Sequence, residues 1–158
     1  MSTLQHSGHV FLGVDPGAKG AAVAVGPWCC EIRFSKMTDS EIWRAIAAIT
    51  VRELGVPVTA ILEKTAIRPP TSASRGGVMM AQYGMLRGFL IAADIRTIEV
   101  TPSVWTRKMG RTDPKKTPYP KKKQLNKQLA QMLYPHREVV LETADAFLLA
   151  EYGRRFHQ

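Results

Sequence analysis

Apolar residues first gather in a short run, Val10, Phe11, Leu12, Gly13 and Val14, that stops at Asp15. Pro16, Gly17 and Gly20 are turn formers and Ala21 to Val25 is apolar again, which predicts a β-hairpin whose core begins at His9. A third strand is expected over Cys30 to Phe34. Helical spacing follows: Thr38 and Glu41 form a capping box, and Ile42, Ala45, Ile46 and Ile49 recur on one face until Gly55. Val58 to Leu62 reads as a strand ending at Glu63, and after Pro69-Pro70 a long helix is expected from about Gly77 to Ala93, then a strand over Thr97 to Val100. Trp105 falls in a short helical turn and residues 110–120 in a Pro- and Lys-rich loop. Leu125, Leu129, Met132 and Leu133 mark a helix that Pro135 ends, and a last, buried helix starts near Glu142.

A hairpin followed by strands alternating with helices predicts an α/β fold, a mixed five-stranded sheet flanked by helices, and not a sandwich or bundle. A length of 158 residues suits one domain, expected over residues 9–158 after a polar, disordered lead-in at 1–8. Apolar residues at 45% and charged residues at 22% exclude wholesale disorder. The only cysteines, Cys29 and Cys30, are neighbours and make neither a disulfide framework nor a zinc site. With no apolar stretch near the ~20 residues of a membrane span and no signal-peptide pattern, a cytoplasmic protein is expected, nucleoid-associated or in a phage-infected cell, with an organelle left open.

Charge narrows the partner. The net charge is +9, and from Arg107 to Lys127 nine basic residues face one acid, Asp113. A solvated lysine-rich face is the plain reading of such a run. Its concentration in one loop and one helix start favours a polyanion instead. Lys121, Lys122 and Lys123 open a helix, the positive end of its dipole, where clustered cations call for an anion such as phosphate. Lys115, Lys116 and Lys127, with Arg68 and Arg75, complete the candidate DNA contacts. Trp105 and Tyr119 are candidates for stacking on bases, with core packing the commoner role for a Trp on a helix.

Four acids supply candidate chemistry. Asp15 and Glu63 each follow an apolar strand, where side chains of an open α/β sheet converge, and Glu142 and Asp145 sit three apart on a helix. Taken singly, each has an ordinary explanation as a turn or first-turn acid. Together they form an oxygen-only set, without Cys or His, of the kind hard cations prefer, so Mg²⁺ (or Mn²⁺), two ions per site, is implied rather than zinc.

Gly13-Val14-Asp15-Pro16-Gly17 with Gly20, then Glu63 after a strand, then Glu142-Thr143-Ala144-Asp145-Ala146, resembles the RuvC family of Holliday junction resolvases over about residues 9 to 155. The resemblance implies an RNase H-like fold and a Mg²⁺-dependent endodeoxyribonuclease. Such an enzyme works as a homodimer on four-way DNA junctions, making paired symmetric nicks that leave 5′-phosphate and 3′-hydroxyl ends. By position, Asp15, Glu63 and Asp145 look like metal ligands, and Glu142 takes the place of a fourth that is typically Asp. The family also carries an aromatic residue shortly after the second acid, where this chain reads Ala66-Ile67-Arg68-Pro69-Pro70, so a divergent phage, bacterial or organellar-like member is expected. Gly84 and Gly88, with Met80 beside them, are expected to form the dimer face, although packing on the chain's own sheet would use the same small residues. The rival readings are an RNase H-like nuclease for RNA–DNA hybrids or flaps and an inactive junction-binding module. A sugar-kinase-like ATPase is disfavoured by length.

Overall fold

The computed structural model describes residues 8–17, 19–52, 55–65, 72–111 and 117–158. Residues 1–7 of the expected lead-in lie outside them. The elements are β1 (Val10–Asp15), β2 (Ala21–Val25), β3 (Cys29–Arg33), a 3-10 turn (Phe34–Lys36), α1 (Asp39–Arg52), β4 (Val58–Glu63), α2 (Ala73–Ala92), β5 (Arg96–Val100), α3 (Pro102–Lys108), α4 (Tyr119–Leu133) and α5 (Leu141–Phe156). The strands form one five-stranded mixed sheet in the order β3-β2-β1-β4-β5. β1 pairs antiparallel with β2 and parallel with β4.

That central place explains why β1 is apolar without alternation: its backbone is paired on both edges and its faces are covered by different helices, so all six residues are buried. Val10, Leu12 and Val14 join Ile42, Ile46, Leu86 and Leu90 in a core under α1 and α2. Successive strand residues face opposite sides. The other face holds a second core, where Ala21, Val23 and Ile61 meet Trp105, Ala146, Phe147 and Leu149 beneath α5. Each such large side chain taken out of water contributes ~1.5–3 kcal/mol.

α5 lies unusually close to the strands. A Cβ on Gly13 would sit 2.0 Å from the carbonyl oxygen of Ala146, and one on Gly153 would sit 2.7 Å from side-chain carbons of Phe11 and Ile61. Bare backbone at 13 and 153 is therefore what seats the helix on β1 and β4.

Local signals are borne out with small shifts. In the α1 capping box Thr38 N–H donates to Glu41 Oε2 at 2.7 Å, while Glu41 N–H donates to Thr38 Oγ1 at 3.4 Å. α2 starts at Ala73, a turn before the expected Gly77, because Ser72 caps it by accepting from the Arg75 N–H at 3.3 Å. β3 is shifted one residue toward the N-terminus, since Phe34 enters the 3-10 turn.

Gly13→Ala should destabilise the protein by ~2 kcal/mol or more, because backbone at Ala146 has to yield to the methyl group. Urea denaturation should show the loss as a lower midpoint. Gly17→Ala is the control: its Cβ meets only Gly20 N, at 3.8 Å, and the midpoint should barely move.

Candidate active site

Three of the four acids converge beneath α5 at the carboxyl ends of the parallel strands. Val14 of β1 pairs with Leu62 of β4, so Asp15 and Glu63, which follow them, end adjacent strands and point toward the same face of the sheet. α5, seated close by Gly13, brings Asp145 to that place. Asp15 and Asp145 are 7% and 5% exposed, and a buried carboxylate needs a partner. Lys123 of α4 supplies it: its ammonium lies 3.3 Å from Asp15 Oδ2 and donates to Asp145 Oδ2. Asn126, one turn further along α4, donates from Nδ2 to Asp145 Oδ1 at 2.6 Å. Trp105 donates its indole N–H to Glu63 Oε2 at 2.7 Å.

The electrostatics follow from crowding in a dry place. Burial pushes the Asp15 carboxyl well above the usual range; Lys123 opposes this, and the negative charges of Asp145 and Glu63 add to it. Glu63 is pushed up to about 7, first by burial and then by Asp145, with Trp105 and Lys123 pulling the other way. Burial works against the charge on Lys123, yet Asp15 and Asp145 outweigh it and hold the ammonium charged well beyond the ordinary lysine range. The site is short of positive charge.

Glu142 is placed differently from the inward-facing acid expected beside Asp145. Arg33 Nε donates to its Oε2 at 3.0 Å, and the backbone N–H and hydroxyl of Ser35 donate to Oε1 at 3.2 and 2.6 Å. Burial is outweighed by these bonds from Ser35 and Arg33, which hold the carboxyl below its ordinary value. Glu142 thus ties the start of α5 to the end of β3, at the mouth of a cleft of about 460 Å³ that Asp15, Gly20, Ser35, Tyr119 and Lys123 also line. Among the described residues no three Asp, Glu, His or Cys side chains stand close enough to share one ion. With Glu142 tied to Arg33 and Ser35 at the mouth, the acids are arranged around a lysine.

The basic residues divide. Lys123, expected on phosphate, turns inward to the carboxylates, whereas Lys121 is exposed and Lys122 and Lys127 are half-buried on α4. Arg75 is exposed in the first turn of α2. Arg68, Lys115 and Lys116 lie outside the described residues, as does the loop 66–70. Trp105 is core, 1% exposed, with its N–H committed to Glu63, which leaves Tyr119 as the stacking candidate of the two. Met80, Gly84 and Gly88 lie on the outer side of α2: Met80 is 40% exposed, and a Cβ on either glycine would meet nothing within 4 Å.

Sequence reasoning missed the partners Lys123, Asn126 and Trp105, and the ties from Arg33 and Ser35. One signal was present: Lys123, Asn126 and Ala130 recur at helical spacing on the side of α4 that packs on α5, where a polar Asn implies a buried polar partner.

No protein-family model matches the chain, and no curated protein sequence matches it. Among solved structures it is similar to T. thermophilus RuvC in complex with Holliday junction substrate, at 13% identity and a TM-score of 0.61, over 94% of this chain and 96% of that one. A second Thermus thermophilus RuvC structure gives 16% identity and a TM-score of 0.54 over 92% and 95% of the two chains. The chain therefore has the RNase H-like fold of RuvC.

Glu63 predicts a pH dependence in metal-free solution. The unfolded chain loses this proton near pH 4.5 and the folded protein keeps it to about 7, so the native state binds more protons across that window. Its contribution to stability is then full below pH 4.5, falls as pH rises to about 7 and is level beyond. Thermal melts from pH 4 to 8 should show Glu63→Gln with a flatter profile than wild type; parallel profiles would contradict the assignment.

Proposed function

We propose that this protein is a metal-dependent, structure-specific DNA endonuclease that cuts four-way junctions. The carrying observation is the pair of buried carboxylates, Asp15 and Asp145, sharing one ammonium at the carboxyl ends of the parallel strands. The donor set fits a hard divalent cation: carboxylate oxygens with no thiolate or imidazole, gathered around a stand-in positive charge. Asp15 and Asp145, which share the Lys123 ammonium, would hold Mg²⁺ or Mn²⁺ with Glu63 nearby; when bound, the ion supplies activation of the attacking water and charge for the leaving 3′ oxygen.

The chain's own residues do the rest. Trp105 and Asn126 orient Glu63 and Asp145, each through one hydrogen bond to the oxygen it holds. Lys123, which lines the cleft beside Asp15 and Asp145, would offer its ammonium to the scissile phosphate. Lys121, Lys122 and Lys127 on the same helix offer further phosphate contacts, which position the duplex without reading its sequence. Glu142 keeps the start of α5 against β3, so Asp145 stays aimed inward. The junction as substrate rests on the fold shared with RuvC, whose neighbouring structure holds Holliday junction substrate.

Two opposed strands call for two copies. On α2, Val78 and Ile91 are 64% and 63% exposed and Met79 and Met80 37% and 40%, beside open ground at Gly77, Gly84 and Gly88. A second copy packed there two-fold would cover these apolar groups, with the glycines letting the helices approach.

Two measurements test this reading. Labelled four-way junction, linear duplex and RNA–DNA hybrid are incubated with and without Mg²⁺; paired symmetric nicks in the junction alone are expected, and Asp15→Asn should lower the rate by roughly 10³-fold or more while still binding. Preferred cutting of the hybrid would replace the substrate, and binding without any cutting would leave a junction-binding module. Light scattering should give twice the 17.5 kDa chain mass for the wild type and the single mass for Met80→Glu. A monomeric wild type would remove the dimer.

A further inference from the structure

Tyr119 is an exposed aromatic side chain set beside the acids. It is the first residue of α4, 69% exposed, and lines the same cleft as Asp15, Gly20, Lys123 and Glu142. The Lys123 ammonium, which bridges Asp15 and Asp145, lies 5.8 Å from the centre of its ring. Exposure of so large an apolar surface is unfavourable in the free protein.

The backbone under it is stiff. Pro118 stands before it at φ −60° and ψ 146°, and Pro120 follows within the first turn of the helix. Each ring locks φ, so the tyrosine is presented with little freedom to lose when something binds on it. The other large aromatic groups near the acids have their rings covered, Trp105 on Glu63 and Phe147 against Tyr134, whereas the Tyr119 ring is open and its hydroxyl is engaged by Lys123.

We propose that Tyr119 is a base-contacting residue, on which an unstacked nucleobase next to the scissile phosphate lays its face. The proposal rests on the nuclease reading of the cleft and deepens it by assigning a base contact. The chemistry is that of single-stranded recognition. A phosphate held at Lys123 brings the base of its own nucleotide, or of the next one, within reach of a ring about 6 Å away, and every base has a π face to offer, so the contact selects unpaired DNA without selecting sequence. Continuous duplex, with its bases stacked inside, cannot use it.

Photocrosslinking reads this contact without requiring cleavage. Metal-free protein is bound to a four-way junction carrying 5-iodouracil at the crossover and irradiated, and the crosslinked peptide is mapped by mass spectrometry. Attachment at Tyr119 is expected, lost in Tyr119→Leu, which keeps apolar bulk and suits a helix but has no ring. In steady-state cleavage with Mg²⁺, Tyr119→Leu and Tyr119→Ala should lose roughly 10-fold in kcat/KM on the junction, and Tyr119→Phe should keep it. Crosslinks that map elsewhere, together with wild-type kcat/KM in Tyr119→Leu, would overturn the base contact while the nuclease reading stands. A crosslink at Tyr119 in a protein that cuts no DNA would support the contact and overturn the nuclease reading.

Discussion

The close approach of α5 to β1 is the constraint on which the site depends. A helix held off the sheet by ordinary side chains would leave Asp145 away from the end of β1. With no side chain at Gly13, and none at Gly153, the backbones of helix and strand meet directly, so an acid on the helix and an acid on the strand can face one cation. The glycine that opens the Gly13-Val14-Asp15 string thus acts on chemistry through packing: it moves a carboxylate by letting its helix come down.

Bringing these carboxylates together in a dry place costs folding energy, which the neighbouring polar groups only partly offset. Lys123 balances one of the two charges it bridges, Asn126 satisfies the remaining oxygen of Asp145, and Glu63 is pushed up to about 7, where part of the population stays protonated. An arrangement that wants more positive charge than its own side chains provide is poor as a stability device, and the proposed divalent ion would supply the missing charge. Local conflict of this kind is where a fold concedes stability to function.

Two acids three residues apart on α5 take unlike parts for a geometric reason. Residues at that spacing on a helix differ by roughly 60° in direction, and Glu142 sits in the first turn, next to the end of β3. Its longer side chain finds Arg33 and Ser35 there, while Asp145, a turn deeper, is buried between α4 and the sheet. One helix end is thereby fixed and the next turn kept for the carboxylate pair.

Sequence alone determined the elements and the sheet class. The apolar run of β1 marked the first strand of a hairpin, the Thr38–Glu41 box marked a helix start, and strand-terminal Asp15 and Glu63 marked the end of the sheet where side chains converge, because these signals are local or follow from a fixed side-chain period. Tertiary structure decided which charges meet. Lys123 reads as one of three adjacent lysines at a helix start, and only the packing of α4 on α5 turns it inward to Asp15 and Asp145 while Lys121 stays exposed. Glu142 reads like Asp145 until Arg33, far away along the chain, arrives beside it. Partners of this kind depend on distances across the fold, which the order of residues along a chain does not contain.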